Sequence, residues 1–567
     1  MNESLSYKTE KRIYELLPHD PETMAFTLFT IGMAAYYIWR MCAITPQYDE
    51  LYTYYYFISR GPVYAAIHWP LPNNHVGFSV LSAVLNYCGN SYIGLRGVSY
   101  LCAVSNLIIL YRICKRYFSH WLSFGAVVLY SSMSIVNEYS IQGRGYTLAT
   151  TCFLIALYCG GRICNLDETS IWYYRAIGVC FVLGLYTVPS SIYWVIPVSL
   201  AICVYLIRNA YAGRIYHEKI YDTTYFRKFR KFFSHGFMAA VVTFFLYGII
   251  WLAIGSNLLV KTEGSDLFGE SHFVVLIRAP LRAMMTGIDY MLSQPYIQSL
   301  SSEDFYENVL NWAGSLFGYM LPGFEVIIPV FIVISLSVAL YECIRHFVYS
   351  RTIINLMVLS NVVITALMLI LQKKLPYLRV FSYGAVIVVL CICICLERLI
   401  NVTIRMYNRS ILKKRNELSK EGTDHKESET TIKTGKWYSG IGVYIPVLTM
   451  VIIFVVRFSS DDFMAQLAHR ESAVYNTLYV ADVESRKNIA AIDCDQQFLL
   501  KFGWNIDCNK TDVDDADCVI IDKNLMQPGY QGSDFWKFYQ TYDTINWDYI
   551  STMRAVYENE SFILYIK

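Results

Sequence analysis

The chain has 567 residues, of which 55% are hydrophobic and only 16% are charged. Ordinary soluble domains carry roughly 25% charged residues, and a soluble core of this size needs more charge to cover its surface. A polytopic membrane protein does not, because lipid covers its surface. The formal net charge of +2 argues against a nucleic-acid-binding protein, which usually carries a strong basic excess.

Apolar runs near 20 residues, long enough to cross a bilayer core of about 30 Å, recur along the chain. They predict eleven membrane-spanning helices, at about 24–44, 93–113, 119–137, 141–160, 171–188, 190–207, 235–255, 325–344, 352–371, 380–397 and 438–458. More than half of the 47 Lys and Arg residues fall in alternate loops, beginning with the N-terminal segment 1–23. Because cytoplasmic loops are enriched in Lys and Arg, we expect this segment inside and the C-terminus outside.

Three longer segments lie outside these runs: predicted outer loops at 45–92 and 256–324, and a hydrophilic C-terminal segment at 459–567. The C-terminal segment is predicted to form a small extracytoplasmic α/β domain, with strands at 490–494, 518–522 and 562–567 and a helix at 496–504. An inner loop at about 398–437 is predicted to be disordered, because its stretch 411–436 has almost no large apolar residues. The predicted fold class is an all-α polytopic membrane domain over 24–458, followed by this α/β domain.

Two adjacent acids, Asp49 and Glu50, stand immediately after the first apolar run. Acidic residues are favoured at helix N-termini, so a helix that starts near residue 49 is one explanation for them. Neighbouring residues on a helix point about 100° apart. One acid can therefore face a cavity while the other caps the helix or pairs with a cation.

Asn74 and His75 come directly before an apolar stretch at 76–89. About 14 residues are too few to span a bilayer, so this stretch predicts a helix that lies in the outer interface. An amide and an imidazole ahead of that helix suit a lipid phosphate. Turn chemistry alone is the alternative interpretation.

These motifs, in this order, resemble the family 39 type of polyprenyl-phosphate-sugar glycosyltransferases, which includes protein O-mannosyltransferases and lipid A aminoarabinose transferases. The likeness rests on the acidic pair, the Asn-His segment and Gly94–Arg96 ahead of the second run. Three further segments at outer span ends add to it: SIQGRGYTL at 140–148, LGLYT at 183–187 and PYLRVF at 376–381. The aminoarabinose transferases have Lys-Pro-Pro in place of Asn74–His75, which implies a different sugar or acceptor.

The resemblance implies the glycosyltransferase C fold and a hexosyl- or pentosyltransferase that inverts the anomeric carbon. The donor is a sugar on undecaprenyl or dolichyl phosphate, and the acceptor is a hydroxyl of a glycan, lipid or protein. It implies Asp49 as the general base with Glu50 beside it, donor-phosphate binding by His75, Arg144, Arg379 and Arg96, and a substrate pocket with Asn74, Tyr146 and Tyr186. Glu138 lies on the same expected outer side and is a candidate second acidic contact in that pocket. No cofactor or metal is implied, because the leaving group is already a phosphate.

Two other classes of function compete with this one. A lipid-linked-sugar transporter or flippase carries ionisable residues within its spans and internal repeats, whereas the spans here are nearly free of charge. A non-catalytic membrane scaffold is the other alternative. A multi-span glycosyltransferase of another branch, such as one that modifies O-antigen, keeps the donor class and changes the acceptor.

The second outer loop contains acids and one histidine, namely Glu263, Asp266, Glu270, His272 and Asp289. Their spacing matches no standard pattern of metal ligands, so a solvated loop is expected there. Compact loops and the lack of a retention signal favour a bacterial plasma membrane as the location.

Overall fold

A computed structural model describes residues 20–68, 74–165, 169–214, 219–293, 298–299, 305–345, 351–421, 444–460, 463, 469–486, 488–490, 494–506, 513–523 and 545–567. The chain divides into two compact units. The first unit, which we call the membrane unit, comprises residues 1–37, 99–140 and 145–463. The second, which we call the acid unit because it contains Asp49 and Glu50, comprises residues 38–98, 141–144 and 464–567.

Helices dominate the described residues as far as residue 458. They are α1 Pro21–Ala43, α2 Tyr48–Tyr56, α3 Pro62–Ile67, α4 Val76–Asn86, α5 Ser91–Tyr117, α6 His120–Ser131, α7 Ser134–Tyr139, α8 Tyr146–Asn165, α9 Ile171–Thr187, α10 Ile192–Gly213, α11 Thr224–Lys261, α12 His272–Arg278, α13 Pro280–Ser293, α14 Phe305–Met320, α15 Ile327–Arg345, α16 Thr352–Gln372, α17 Gly384–Glu421 and α18 Tyr444–Phe458. Short 3₁₀ turns occupy Ile58–Arg60, Pro189–Ser191, Ile220–Asp222 and Leu378–Phe381.

Seven helices in the described part of the chain are long and apolar enough to cross a membrane. The helix α1 and the segment Tyr48–Arg60 form a pair bent by 79°, which adds an eighth span if the pair counts as one. The chain is therefore a multi-pass membrane protein, as the composition predicts. The predicted count of eleven also included shorter elements. The runs at 171–188 and 438–458 fall on the short apolar helices α9 and α18, and the run at 119–137 is divided between α6 and α7.

The predicted disorder at about 398–437 is wrong for its first part, because α17 continues to Glu421. The charged residues of this part are Lys, Arg and Glu, which are good helix formers. They extend an apolar helix that is already nucleated, so each added residue gains a backbone hydrogen bond. The remainder of that predicted segment, 422–437, lies outside the described residues.

The C-terminal part of the acid unit is a small α/β region, as predicted. Its described elements are the helices α19 His469–Val480, α20 Cys494–Trp504 and α21 Trp547–Ser551, the 3₁₀ turn Val483–Ser485, and the strands β3 Ile489–Ala490, β4 Cys518–Asp522, β5 Arg554–Glu558 and β6 Phe562–Ile566. The strand order is β3-β4-β6-β5, with β3 and β4 parallel and the other pairs antiparallel. Two short strands of the membrane unit, β1 Gln298–Ser299 and β2 Lys374–Leu375, form a separate antiparallel pair.

The strand β5 was not predicted, although a turn signal precedes β6. The side chain of Asn559 accepts hydrogen bonds from the backbone N–H groups of Ser561 and Phe562, which closes the β5–β6 hairpin. The strand escapes a search for apolar runs because its side chains are almost all exposed. An edge strand that is largely exposed to solvent needs few hydrophobic residues.

Candidate active site

The acidic pair lies in the first turn of α2, which begins at Tyr48. The carboxylate of Glu50 accepts a hydrogen bond from the backbone N–H of Gln47 at 2.9 Å. That contact satisfies a backbone donor that a helix start otherwise leaves without a partner. A helix that starts near residue 49 is thus present, and Glu50 is part of its cap.

Glu50 and Arg96 form a buried pair, and each side chain is only 1% exposed. Arg96 Nε and Nη2 donate to the two carboxylate oxygens of Glu50, both at 2.8 Å. The backbone N–H of Gly143 donates to Glu50 Oε1 at 2.7 Å. Glu50 therefore accepts four hydrogen bonds, which satisfies a buried carboxylate that would otherwise carry a large desolvation penalty.

Arg96 was expected to bind the donor phosphate, and its geometry gives it a different task. Besides its fork on Glu50, Arg96 Nη1 donates to the carbonyl oxygens of Met41 at 3.0 Å and Ile44 at 2.6 Å. The guanidinium thus joins the end of α1 and the start of α2 to α5. An arginine that is 1% exposed and makes these four hydrogen bonds is a structural clamp, because four of its five N–H donors are already engaged.

Asp49, Arg144 and His75 come together beside this clamp. Arg144 Nη2 lies 3.9 Å from Asp49 Oδ2 and 3.4 Å from His75 Nε2. The Arg144 side chain is 4% exposed, whereas that of Asp49 is 33% exposed. Three of the sequence motifs therefore meet at one place: the acidic pair, the Asn-His segment and the segment 140–148. The carboxylate of Asp49 is partly exposed there, and the guanidinium of Arg144 is buried.

Thr53 completes this cluster and was not among the predicted residues. Its hydroxyl accepts a hydrogen bond from Arg144 Nη1 at 3.0 Å and donates to the carbonyl oxygen of Asp49 at 2.8 Å. A signal for it existed in the sequence, because residues four apart on a helix share a face. His75 Nε2 can accept from Arg144 only in the tautomer that carries its proton on Nδ1.

Asn74 was expected in the substrate pocket. Its side-chain amide instead makes hydrogen bonds to neighbouring groups of the protein. Asn74 Nδ2 donates to the carbonyl oxygens of Ala65 at 2.8 Å and His68 at 3.2 Å. Its Oδ1 accepts from the Ser79 hydroxyl at 2.7 Å. The side chain is 2% exposed, so it holds α3 to the start of α4 and places His75, the N-cap of α4.

Four other predicted residues belong to the membrane unit. The Glu138 carboxylate accepts a hydrogen bond from the hydroxyl of Tyr319, and burial raises the pKa of that phenol. The Tyr146 ring meets that of Tyr139 edge to face. Tyr186 has the same edge-to-face contact with Tyr247, and the Arg379 guanidinium lies 5.0 Å from the centre of the Tyr377 ring.

Two of the acids in the segment 256–324 form ion pairs at the surface. Asp266 accepts from Arg282 at 2.5 Å, and Glu270 lies 3.9 Å from Arg278. His272 Nδ1 lies 3.1 Å from the Ser256 hydroxyl. Within the part of the chain that the structure describes, no group of three or more His, Cys, Asp or Glu side chains could hold a metal ion.

Comparisons with known proteins agree with the resemblance that the motifs suggest. Residues 76–235 match the family model described as dolichyl-phosphate-mannose-protein mannosyltransferase. Over this segment, which contains Arg96, Glu138 and Arg144, the chain is similar to a family of membrane glycosyltransferases. Asp49 and His75 precede the matched segment, and Arg379 follows it.

Two solved structures of ArnT from Cupriavidus metallidurans are similar to nearly the whole chain. The structure bound to undecaprenyl phosphate has 11% sequence identity and a TM-score of 0.49, with 95% of this chain and 97% of that chain covered. The apo structure has 10% identity and a TM-score of 0.49, with 96% and 98% covered. No curated protein matches the sequence.

Proposed function

We propose that this protein is an inverting membrane glycosyltransferase that moves a sugar from a polyprenyl-phosphate donor to a hydroxyl acceptor at the outer face of the membrane. The carrier is of the undecaprenyl or dolichyl type, and the acceptor is a cell-envelope glycan, lipid or protein. The similarity of residues 76–235 to a mannosyltransferase family supports the reaction class. The distribution of Lys and Arg supports a cytoplasmic N-terminus and an extracytoplasmic segment 459–567.

The observation that carries this proposal is the contact of Asp49 with Arg144 and His75. Sugar transfer from a lipid phosphate needs a base for the acceptor hydroxyl and a cation for the leaving phosphate. A partly exposed carboxylate and a buried guanidinium supply both within 3.9 Å of each other. Arginine suits the second task because its planar fork donates two bonds to phosphate oxygens.

In the proposed step, Asp49 takes the proton of the acceptor hydroxyl as the hydroxyl oxygen bonds to the anomeric carbon. The bond from that carbon to the phosphate oxygen breaks, and its electron pair leaves with the phosphate. Arg144 and His75 stabilise the phosphate. Glu50 holds the helix α2 in place through its four hydrogen bonds. These bonds also leave Glu50 unsuited to accept a proton from the substrate.

The experiment that tests this proposal is a donor-cleavage assay. The purified protein in lipid receives a panel of polyprenyl-phosphate sugars with cell-envelope extract as acceptor, and free polyprenyl phosphate is measured. We expect release from one donor. Asp49→Asn should lower the rate by about 10²-fold or more, because a positioned general base contributes about 10²–10⁴ in rate.

The matched control is Glu484→Gln, which changes an exposed acid of the same unit and should leave the rate unchanged. Equal release by wild type and Asp49→Asn would refute Asp49 as the base. No release from any donor would refute the transferase. Transport of the intact lipid-linked sugar across vesicles would then support the flippase alternative.

A further inference from the structure

The helix α2 has a second face that packs into the C-terminal α/β region of the same unit. Leu51 is fully buried in a hydrophobic cluster with Leu499 of α20 and Ile520 of β4. The Tyr55 ring stacks on that of Phe498 with centroids 5.4 Å apart. Leu51 and Tyr55 are four residues apart, so they share one face of the helix. The α/β region thus supports the helix that carries Asp49.

A polar contact joins the same two parts at the start of α2. Glu471 Oε1 accepts a hydrogen bond from the backbone N–H of Tyr48 at 2.9 Å, although 423 residues separate them in the chain. Tyr48 is the first residue of α2 and precedes Asp49. Its N–H is one of the donors that a helix start cannot satisfy within the helix. Glu471 and Glu50 thus satisfy consecutive backbone donors, those of Tyr48 and Gln47.

Glu471 is itself anchored to the sheet through its neighbour. Arg470 Nη2 donates to Asp522 Oδ2 at 2.9 Å, and the Asp522 side chain at the end of β4 is fully buried. The Arg470 guanidinium also lies 5.3 Å from the centre of the Phe562 ring in β6. The first turn of α19 is therefore tied to the sheet on one side and to the start of α2 on the other.

We propose that Glu471 is a positioning residue that sets the place of Asp49 through the first backbone N–H of α2, and that the C-terminal α/β region serves as the scaffold of this helix. A short helix of nine residues has little stability of its own. Its position therefore depends on the parts it contacts. The inference rests on the proposed function only for its kinetic readout.

The test compares Glu471→Ala with Glu471→Gln in the full-length protein in lipid. Alanine removes the acceptor, whereas the glutamine side-chain oxygen can still accept from Tyr48. We expect the amides of residues 48–56 to exchange hydrogen for deuterium about tenfold faster in Glu471→Ala and near the wild-type rate in Glu471→Gln. Donor cleavage should show a kcat lowered about tenfold, because small misplacements of catalytic groups can cost up to about 10²-fold.

The split between kcat and KM separates positioning from a general loss of structure. Glu471 does not contact Arg144 or His75 among the hydrogen bonds of the described residues, so the donor KM should stay within about twofold of wild type in Glu471→Ala. Glu484→Ala, an exposed acid in the same region, is the control and should change neither readout. Unchanged exchange and kcat in Glu471→Ala would overturn the inference. Equal defects in the glutamine and alanine variants would also overturn it, because the charge would then matter more than the hydrogen bond.

Phe498→Leu is the second variant, for the case in which Glu471→Ala does not fold. It keeps an apolar side chain and removes the ring that stacks on Tyr55. Faster exchange over residues 48–56 supports a scaffold role of the α/β region, and unchanged exchange contradicts it. If the wild type cleaves no donor, the proposed function fails, and the exchange measurements still decide whether Glu471 and Phe498 hold the helix.

Discussion

At the scale of single residues, two adjacent acids have opposite surroundings. Glu50 is buried and accepts four hydrogen bonds, two of them from Arg96. Asp49 is one-third exposed and lies 3.9 Å from the Arg144 guanidinium. A group that must exchange protons with a substrate needs access, and a group that organises a fold needs saturated bonds. Burial therefore makes Glu50 a structural group and leaves Asp49 accessible for the proton transfer proposed for it.

Glu50→Gln should destabilise the protein much more than Asp49→Asn. The glutamine removes the charge that balances a buried Arg96 and turns an N–H₂ group towards other donors. Loss of one partner of a buried ion pair costs about 3–5 kcal/mol, whereas a longer, partly exposed pair contributes about 0–1 kcal/mol. Thermal unfolding in lipid nanodiscs measures the difference. Equal midpoints for the two variants would contradict the structural role of Glu50.

At the scale of elements, close contacts between helices depend on residues without side chains. The helices α11 and α13 meet where Gly255 of α11 and Gly287 of α13 each face the backbone of the opposite helix. A Cβ atom on Gly287 would lie 2.1 Å from the carbonyl oxygen of Trp251, and one on Gly255 would lie 1.7 Å from that of Ala283. Backbone atoms cannot move aside as a flexible side chain does, so the two helices would have to separate.

Gly287→Ala should therefore destabilise the membrane unit by about 1–3 kcal/mol, the usual cost of overpacking. Gly248→Ala is the matched control, since Gly248 lies on α11 and a Cβ atom added to it would meet no atom within 4 Å. Alanine is the better helix former there, so this control should be neutral or slightly stabilising. The midpoint of thermal unfolding, measured for each variant, tests this prediction. An unchanged midpoint for Gly287→Ala would show that the two helices can separate at little cost in stability.

At the scale of the whole molecule, the acid unit is assembled from three separated parts of the chain, 38–98, 141–144 and 464–567. The turn 141–144 contributes the Gly143 N–H to Glu50 and the Arg144 guanidinium to Asp49. The C-terminal part contributes Glu471 and the core around Leu51. Because these contacts are distant in sequence, the unit cannot be complete until the last part of the chain has been synthesised.

The proposed orientation gives a prediction at this scale. Epitope tags at the two termini of the full-length protein should differ in access from outside intact cells. We expect an antibody to bind the C-terminal tag without permeabilisation and the N-terminal tag only after it, because Lys and Arg accumulate in the loops expected inside. The same tag on a soluble cytoplasmic protein is the control for leakage. The reverse pattern of access would place the proposed active site on the wrong side of the membrane for an outer-leaflet donor.

The sequence by itself determined the membrane class, the small C-terminal α/β region and the motifs from which Asp49, His75 and Arg144 were predicted. These features follow from local properties: apolar runs reflect the thickness of the bilayer, and strand and helix patterns reflect the periodicity of side chains. Their order along the chain also indicated the family resemblance. No distant contact is needed for any of these conclusions.

Only the tertiary structure decided how these residues divide their tasks. Arg96 and Arg144 both lie near the start of a long apolar helix, and nothing local in the sequence tells which one pairs with Glu50 and which lies beside Asp49. The hydrogen bond between Glu471 and Tyr48 joins residues 423 positions apart. Local patterns in a single sequence cannot predict a contact between residues so far apart. Burial and hydrogen-bond partners arise when the chain folds, and they make Glu50 and Arg96 a clamp and leave Asp49 accessible to solvent.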